Sequence, residues 1–433
     1  MKNQYLPLYK LLCLFFLLMF VETSSLQATE NFRNFRFRQL STSDGLSTND
    51  IQQVYQDKEG YIWMATRNGL AKYNGYEMKI YKSNIYNWNL LGNNNISCIE
   101  EDTKHRIWIG TYDGLNVLDK VTGKIKQINK TEFSNNAISK ILVTRKGQIL
   151  LGTDQGLYQY IPERDSCVLF TRETTKDVMP QTSVKSLLED SKGNIWIGTW
   201  NEGLYRYDPE EGKYFAYPKM NERKSAHVVF EDSHHQIWVG TWEGGLFLLK
   251  NPYDMERVSW DVFRNEPAVE SSLADNTIYA LSEDRNTNSL WVGTRSGLSI
   301  LPYGTTSFVN YYPDESGHSI SGNEVTSMIC DQQGMMWLST LGGGVTAIIT
   351  RELNFALDHL ENIKKVFKTN SVRNILVDDE GLMWLSIGTY GLVVYNRQTG
   401  EWWNMRQLGF PDTGSTTYSV FSIMQSPTTG KIW

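Results

Sequence analysis

One position in a repeated stretch of this sequence changes character while its surroundings hardly do. Four residues after a recurring Trp position the chain reads Arg67, Tyr112, Asp154, Trp200, Trp242, Arg295 and Leu341. Aromatic faces stack on sugar rings, and Asp, Asn, Glu and Arg pair with sugar hydroxyls, so a mixed set of this kind on one rim suits an oligosaccharide. The candidate ligand-binding residues are Arg67, Tyr112, Asp113, Asp154, Trp200, Asn201, Glu202, Trp242, Glu243 and Arg295. Within them Trp200 in "GTWNEGL" and Trp242 in "GTWEGGL" hold the same place in successive copies, which puts them side by side as a stacking platform. The competing reading is that all of these are ordinary exposed turn residues, since Trp and Tyr also cap sheet edges.

Residue types suited to catalysis are present without a constellation. His105, His227, His234, His235, His318 and His359 recur at no common position, and a general acid and base converging on one point would need one. His105, His234 and His235 fall in turns between first and second strands, the last two as a solvated pair. Asp57 to Gly60, Asp190 to Gly193 and Asp331 to Gly334 share a D-x-x-G spacing. Asp there accepts backbone N–H groups at the start of a turn and Gly ends it; a calcium loop would need more carboxylates at closer spacing. No catalytic residue, metal or cofactor is expected.

The elements that position the variable residue are repeats. "GYIWMATRNGLAKY", "RIWIGTYDGLNVL", "QILLGTDQGLYQY", "NIWIGTWNEGLYRY", "QIWVGTWEGGLFLL", "SLWVGTRSGLSIL", "MMWLSTLGGGVTAI" and "LMWLSIGTYGLVVY" follow one another, with "GKIW" as a truncated ninth. Their Trp positions are 63, 108, 150 (Leu here), 196, 238, 291, 337, 384 and 433, at intervals of 45, 42, 46, 42, 53, 46, 47 and 49. Such a period is that of one four-stranded blade of a β-propeller. In the first copy 50–57, 61–66, 69–74 and 76–82 read as inner, second, third and outer strands, from short apolar runs broken by Gly, Asn and Asp. The recurring Trp rings are expected to pack between sheets as core.

A ring of blades must hide its open edge. The segment 34–40 has the pattern of an outer strand without partners in its own unit, so it is expected to complete the seventh blade and close a ring over 34–350. The segment 353–360 holds the equivalent place before the eighth unit, so 351–433 reads as the first blades of a second, incomplete propeller. On this reading "GKIW" stops inside a blade, and the sequence is the N-terminal piece of a longer protein.

Composition agrees with an all-β chain: 12% aromatic, 34 Gly, 11 Pro. With 42 basic and 48 acidic residues and no basic run, nucleic acid is excluded as a partner of this part. Lys2 and Lys10 with the apolar run 11–21 and a small-residue stretch up to Ala28 read as a signal peptide over 1–28, or as a retained anchor; the rest is expected to be exported to the periplasm. Cys98, Cys167 and Cys330 remain after it, an odd set and no disulfide framework.

The repeat D-x-x-G-x-I-W-x-G-T-x-x-G-L-x-x-Y resembles the two-component regulator propeller repeat, and residues 39–77 look like its first copy. The resemblance implies the periplasmic, glycan-sensing region of a hybrid two-component histidine kinase of the Bacteroidetes type. It implies two seven-bladed propellers, a β-sandwich domain, a membrane helix, a kinase with further output parts, and a homodimer. Nothing in the chain is a kinase motif, so it is expected to have no enzymatic activity of its own, and to meet the membrane only through later parts. Two alternatives stand beside this: a propeller enzyme of the streptogramin-lyase type, and an interaction scaffold without a small ligand.

Overall fold

The computed structural model describes residues 35–84, 86–87, 89–128, 137–170, 181–217, 225–314, 319–350, 372–388, 390–396, 399–409, 420–426 and 428–433. The signal-peptide and 353–360 readings lie outside these residues. Apart from a single turn of 3-10 helix at Thr42–Asp44, every regular element among them is a strand. The strands form eight four-stranded antiparallel sheets, so the fold is the all-β propeller that the repeats predict. The chain divides into two compact units, Met1–Glu352 and Leu353–Trp433.

Seven of the sheets are blades of the first unit. Blade 1 is Ile51–Gln56, Ile62–Thr66, Gly69–Tyr73 and Met78–Tyr81. The inner strands of blades 2 to 7 are Ile96–Glu101, Ile138–Val143, Val184–Glu189, Val228–Glu231, Ile278–Asp284 and Val325–Cys330. Blade 7 takes its outer strand from the other end of the chain: Arg36–Leu40 pairs with Gly344–Ile349, Leu40 opposite Val345 and Arg36 opposite Ile349. That pairing satisfies the edge which an open ring would expose.

Second strands such as Ile195–Thr199 are buried at every residue, because each sheet is packed on both faces. Trp63, Trp108, Trp196 and Trp291 are at most 1% exposed. Five of the rings are tethered to an Asp: the indole Nε1 of Trp63, Trp108, Trp196, Trp238 and Trp337 donates to Oδ2 of Asp57, Asp102, Asp190, Asp232 and Asp331 at 2.8–2.9 Å, while that of Trp291 donates to Ser289 Oγ at 3.1 Å. The same Asp residues take turn N–H groups on Oδ1, as Asp57 does from Glu59 and Tyr61. One carboxylate thus holds the turn and satisfies the buried indole N–H, which would otherwise cost about 1–3 kcal/mol.

The Gly before the Thr of blades 2 to 6 answers to the neighbouring blade. A Cβ at Gly240 would lie 2.5 Å from Ile278 Cγ2 and 2.6 Å from Val228 Cγ1, so two inner strands close on it. Farther along, a residue at the end of an inner strand clasps the turn of the preceding blade. Glu101, Glu189, Glu231 and Glu283 accept the backbone N–H of Lys58, Arg145, Ser191 and Ser233 at 2.7–2.8 Å. Gln56 accepts that of Gln332 in the same way, so blade 7 joins blade 1.

The second unit contributes one sheet, Val372–Val377, Leu382–Ile387, Gly391–Asn396 and Trp402–Asn404, and a bridge between Gln425 and Ile432. Trp384 keeps the indole bond to Asp378 at 2.7 Å but is only part-buried, which corrects its reading as core. The reason is local: the described core of this unit is small, namely Met383, Leu385, Ile387 and Val393, and Ile375 is 58% exposed.

Candidate functional site at the channel mouth

The variable rim position is set by backbone bonds that leave its side chain free. Thr66, Thr111, Thr153, Thr199, Thr241 and Thr294 donate Oγ1–H to the carbonyl of the Gly that ends the turn, at 2.7–3.0 Å. The next residue donates its N–H to the residue that leads into the inner strand: Arg67 to Asp50, Tyr112 to Asn95, Trp200 to Ser183, Arg295 to Thr277. Trp242 donates to Ser225 Oγ at 3.0 Å. The rim position therefore overhangs the mouth of the central channel on every blade.

A second ring of side chains lies just beneath, and sequence reading missed it. Six inner strands carry a β-bulge at their second residue, at Gln52, Ser97, Ser139, Lys185, Tyr279 and Thr326. In blade 5 His227 takes this place, its N–H bonded to the Gly240 carbonyl at 2.8 Å, one residue before Val228 pairs with Gly240. A bulge re-aims its side chain out of the regular alternation. Ser97, Ser139 and Thr326 direct their hydroxyls at the backbone carbonyls of Ile138, Val184 and Ile51 on the next blade. On blades 4, 5 and 6 the small hydroxyls give way to Lys185, His227 and Tyr279. The signal was in the sequence, in "VKSL", "HVVF" and "IYAL" against "ISCI", "ISKI" and "VTSM", but a regular strand reading assigns these residues to the sheet faces.

These larger residues meet the rim aromatics. Trp200 and Trp242 are in contact, ring centroids 5.2 Å apart at 62°. His227 packs on Trp200 at 6.2 Å, on Trp242 at 6.0 Å and on Tyr279 at 5.7 Å, and Tyr279 packs on Trp242 at 5.9 Å. Four rings from three blades thus form one cluster. The two indoles stand edge to face, so they make a corner, and a flat ligand stacks on one of them at a time.

Beside Trp200 lies a cleft of about 330 Å³ lined by Asp154, Ser183, Lys185 and Trp200. Lys185 Nζ sits 2.8 Å from Asp154 Oδ1 and 5.9 Å from the Trp200 ring, and Ser183 Oγ donates to Asp154 at 2.7 Å. Lys185 and then Ser183 hold the Asp154 carboxyl below the usual carboxylate range. Burial, reinforced by Lys185, pushes the His227 imidazole down to about 4, so it is neutral at physiological pH. Burial and then Glu324 raise the Tyr279 phenol.

Of the residues expected at the site, Asp154, Trp200 and Trp242 come together here. Asn201, Glu202 and Glu243 stand exposed beside them, Glu202 and Glu243 with their N–H groups bonded to Thr199 and Thr277. Arg295 is turned to Asp275, 3.3 Å away on blade 6. Arg67, Tyr112 and Asp113 are exposed on blades 1 and 2, in another sector of the rim. His105 and His235 occupy the Gly place of the D-x-x-G turn with positive φ of 59° and 60°, and their Nδ1 atoms lie 3.1 and 3.2 Å from Glu101 and Glu231. His234 stacks on Tyr303 at 4.2 Å.

Comparison with known proteins shows what the repeats are similar to. A model described as the two-component regulator propeller matches residues 45–68, 90–113, 179–201, 272–296 and 319–342. A histidine kinase of Formosa agariphila is 28% identical over 370 residues, 72% of this chain and 26% of its own length. Among solved structures, the extracellular domain of a protein described as a hybrid two-component system of B. thetaiotaomicron superposes with a TM-score of 0.61 at 18% identity, over 86% of this chain and 54% of that one. Virginiamycin B lyase of Staphylococcus aureus superposes with a TM-score of 0.56 at 11% identity, over 73% and 99%. The chain therefore spans about a quarter of the kinase and about half of the solved extracellular domain, and the structural likenesses speak for the fold. In its repeats and in the ring they close, the chain is similar to the two-component regulator propeller family.

Proposed function

We propose that this propeller is the periplasmic, ligand-sensing region of a hybrid two-component system, with no catalysis of its own, and that its ligand is an oligosaccharide held at the mouth of blades 4 to 6. The observation that carries the reading is the asymmetry of the mouth. Seven copies of one repeat place a residue there, and only on blades 4 to 6 do Lys185, His227 and Tyr279 join Trp200 and Trp242. The sugar's apolar face stacks on an indole, and its hydroxyls meet Asp154, Lys185, Asn201 and Glu202. Relatives whose names tie them to histidine kinases and two-component systems support the sensor assignment.

The test is calorimetric titration of the full chain with a panel of oligosaccharides, for wild type, Trp200→Ala and Trp242→Ala. A sugar that binds wild type should lose about tenfold to a hundredfold with either substitution, as for removal of a hot-spot aromatic. Equal binding by all three proteins would refute the site.

A further inference from the structure

We infer, building on the proposed sensing role, that the central channel is a second subsite, which takes the terminal ring of the oligosaccharide, with Tyr279 and His227 as the groups that recognise it. A cavity of about 240 Å³ lies inside the ring of inner strands, lined among others by Gln52, Gln53, Ser139, Lys140, Thr326 and Tyr279. Tyr279 belongs to both places: it lines this cavity and packs on Trp242 and His227. Trp200 lines the rim cleft and packs on the same two rings. The four-ring cluster is therefore the wall along which a ligand on the rim continues into the channel.

The polar groups on that wall are unspent. His227 Nδ1 is buried and has no hydrogen-bond partner, and the Tyr279 hydroxyl has none among the described residues. A buried, unpaired nitrogen is costly unless a water or a ligand satisfies it. Elsewhere on the bulge ring the hydroxyls of Ser97, Ser139 and Thr326 are committed to the next blade. In the cavity lining the amides of Gln52 and Gln53, the Tyr279 phenol and the Lys140 ammonium offer donors and acceptors, and the His227 imidazole stands beside Tyr279 at the rim end of the wall, 5.7 Å between ring centroids, which together suits a ring bearing several hydroxyls. Gln53 also accepts the Ile99 N–H at 2.8 Å, and Ser327 the Val54 N–H at 3.2 Å, so the inner strands around the cavity are fixed to one another before any ligand arrives. The size decides which part of a chain enters. At about 240 Å³ the cavity lies below the roughly 300 Å³ at which sites for drug-sized ligands begin, so it admits one ring and no continuing chain.

The test uses the full chain and linear oligosaccharides of two to six units, neutral and uronate-terminated. Each is offered with both ends free, with the reducing end blocked as a bulky glycoside, and with the non-reducing end capped. Blocking one particular end should lower affinity at least a hundredfold, and affinity should stop rising after two or three units. Tyr279→Phe and His227→Gln, which keep the packing, should each lose about threefold to tenfold, the worth of one hydrogen bond, with thermal unfolding confirming the fold. If Trp200→Ala weakens binding while both blocked forms and both conservative variants bind like their references, the rim holds an internal stretch and the channel inference falls alone. If no oligosaccharide binds wild type, the sensing proposal and this inference fall together.

Discussion

The two sides of the channel mouth are built from the same strand, turn and bulge, and they are filled differently. On blades 2, 3 and 7 the bulged residue is Ser97, Ser139 or Thr326, and its hydroxyl ties one blade to the next. On blades 4, 5 and 6 the same position holds Lys185, His227 and Tyr279, which give up the clasp and meet the rim aromatics. Holding a ring together needs small groups aimed at backbone carbonyls; binding needs large side chains with atoms to spare. A repeat protein can assign the two tasks to different copies because each blade contacts only its neighbours.

The sharpest way to break this comparison is to exchange rim and core Trp. Trp108→Ala removes a fully buried ring together with its bond to Asp102, and should cost about 3–5 kcal/mol of unfolding free energy. Trp200→Ala, at a partly exposed ring, should change stability far less while weakening ligand binding. Denaturant unfolding of both variants checks it, and similar losses from the two would erase the distinction.

The next effect is pH-dependent. The folded His227 pKa of about 4 lies below its unfolded value near 6.5, so the unfolded state binds the proton first. The stabilisation is complete above about pH 6.5 and fades as the pH falls toward 4, by about 2–3 kcal/mol. His227→Gln should flatten that part of the stability profile, and a slope unchanged by the substitution would contradict the buried neutral imidazole.

Glu100 offers a smaller test on the clasping side. It stands opposite Trp108, where other blades place Leu142, Leu188 and Phe230, and burial foremost pushes its carboxyl up to about 7. Here the sign reverses: the folded state holds the proton longer, so the contribution is present below about pH 4.5 and lost as the pH rises through 7. Glu100→Gln should stabilise the protein at pH 8 by about 1–2 kcal/mol, discounted for its partial exposure. Thermal unfolding at pH 5 and pH 8 checks it; a gain confined to pH 5 would refute the reading.

The smallest change is Ser139→Ala, which removes one clasp and should cost about 1 kcal/mol of stability, with a smaller effect on ligand affinity than Tyr279→Phe because its hydroxyl is committed to Val184. A drop in affinity without loss of stability would place Ser139 with the binding side.

Much of this architecture was legible in advance because its causes are local. The period of the Trp positions, the Asp-x-x-Gly turns and the apolar runs each act over a few residues, and they specify blades whatever the ring does. The place of Arg36–Leu40 in blade 7 was legible too, since an unpaired strand pattern at one end must find an open edge at the other. The candidate site was legible in part. Asp154, Trp200 and Trp242 announce themselves by varying where their neighbours do not, but nothing in that pattern separates them from Arg67 and Tyr112 in another sector.

By itself, then, the sequence determined the repeat, the buried Trp register and the turns that join strands, through short-range hydrogen bonding and hydrophobic periodicity. Only the tertiary structure decided which polar groups share the mouth. A bulge shifts a side chain out of alternation, and closure of the ring then brings Trp200, His227 and Tyr279, from three successive blades, within contact of one another. Whether two indoles lie flat or stand edge to face, as Trp200 and Trp242 do at 62°, is likewise set by how neighbouring blades pack and by no property of either repeat alone.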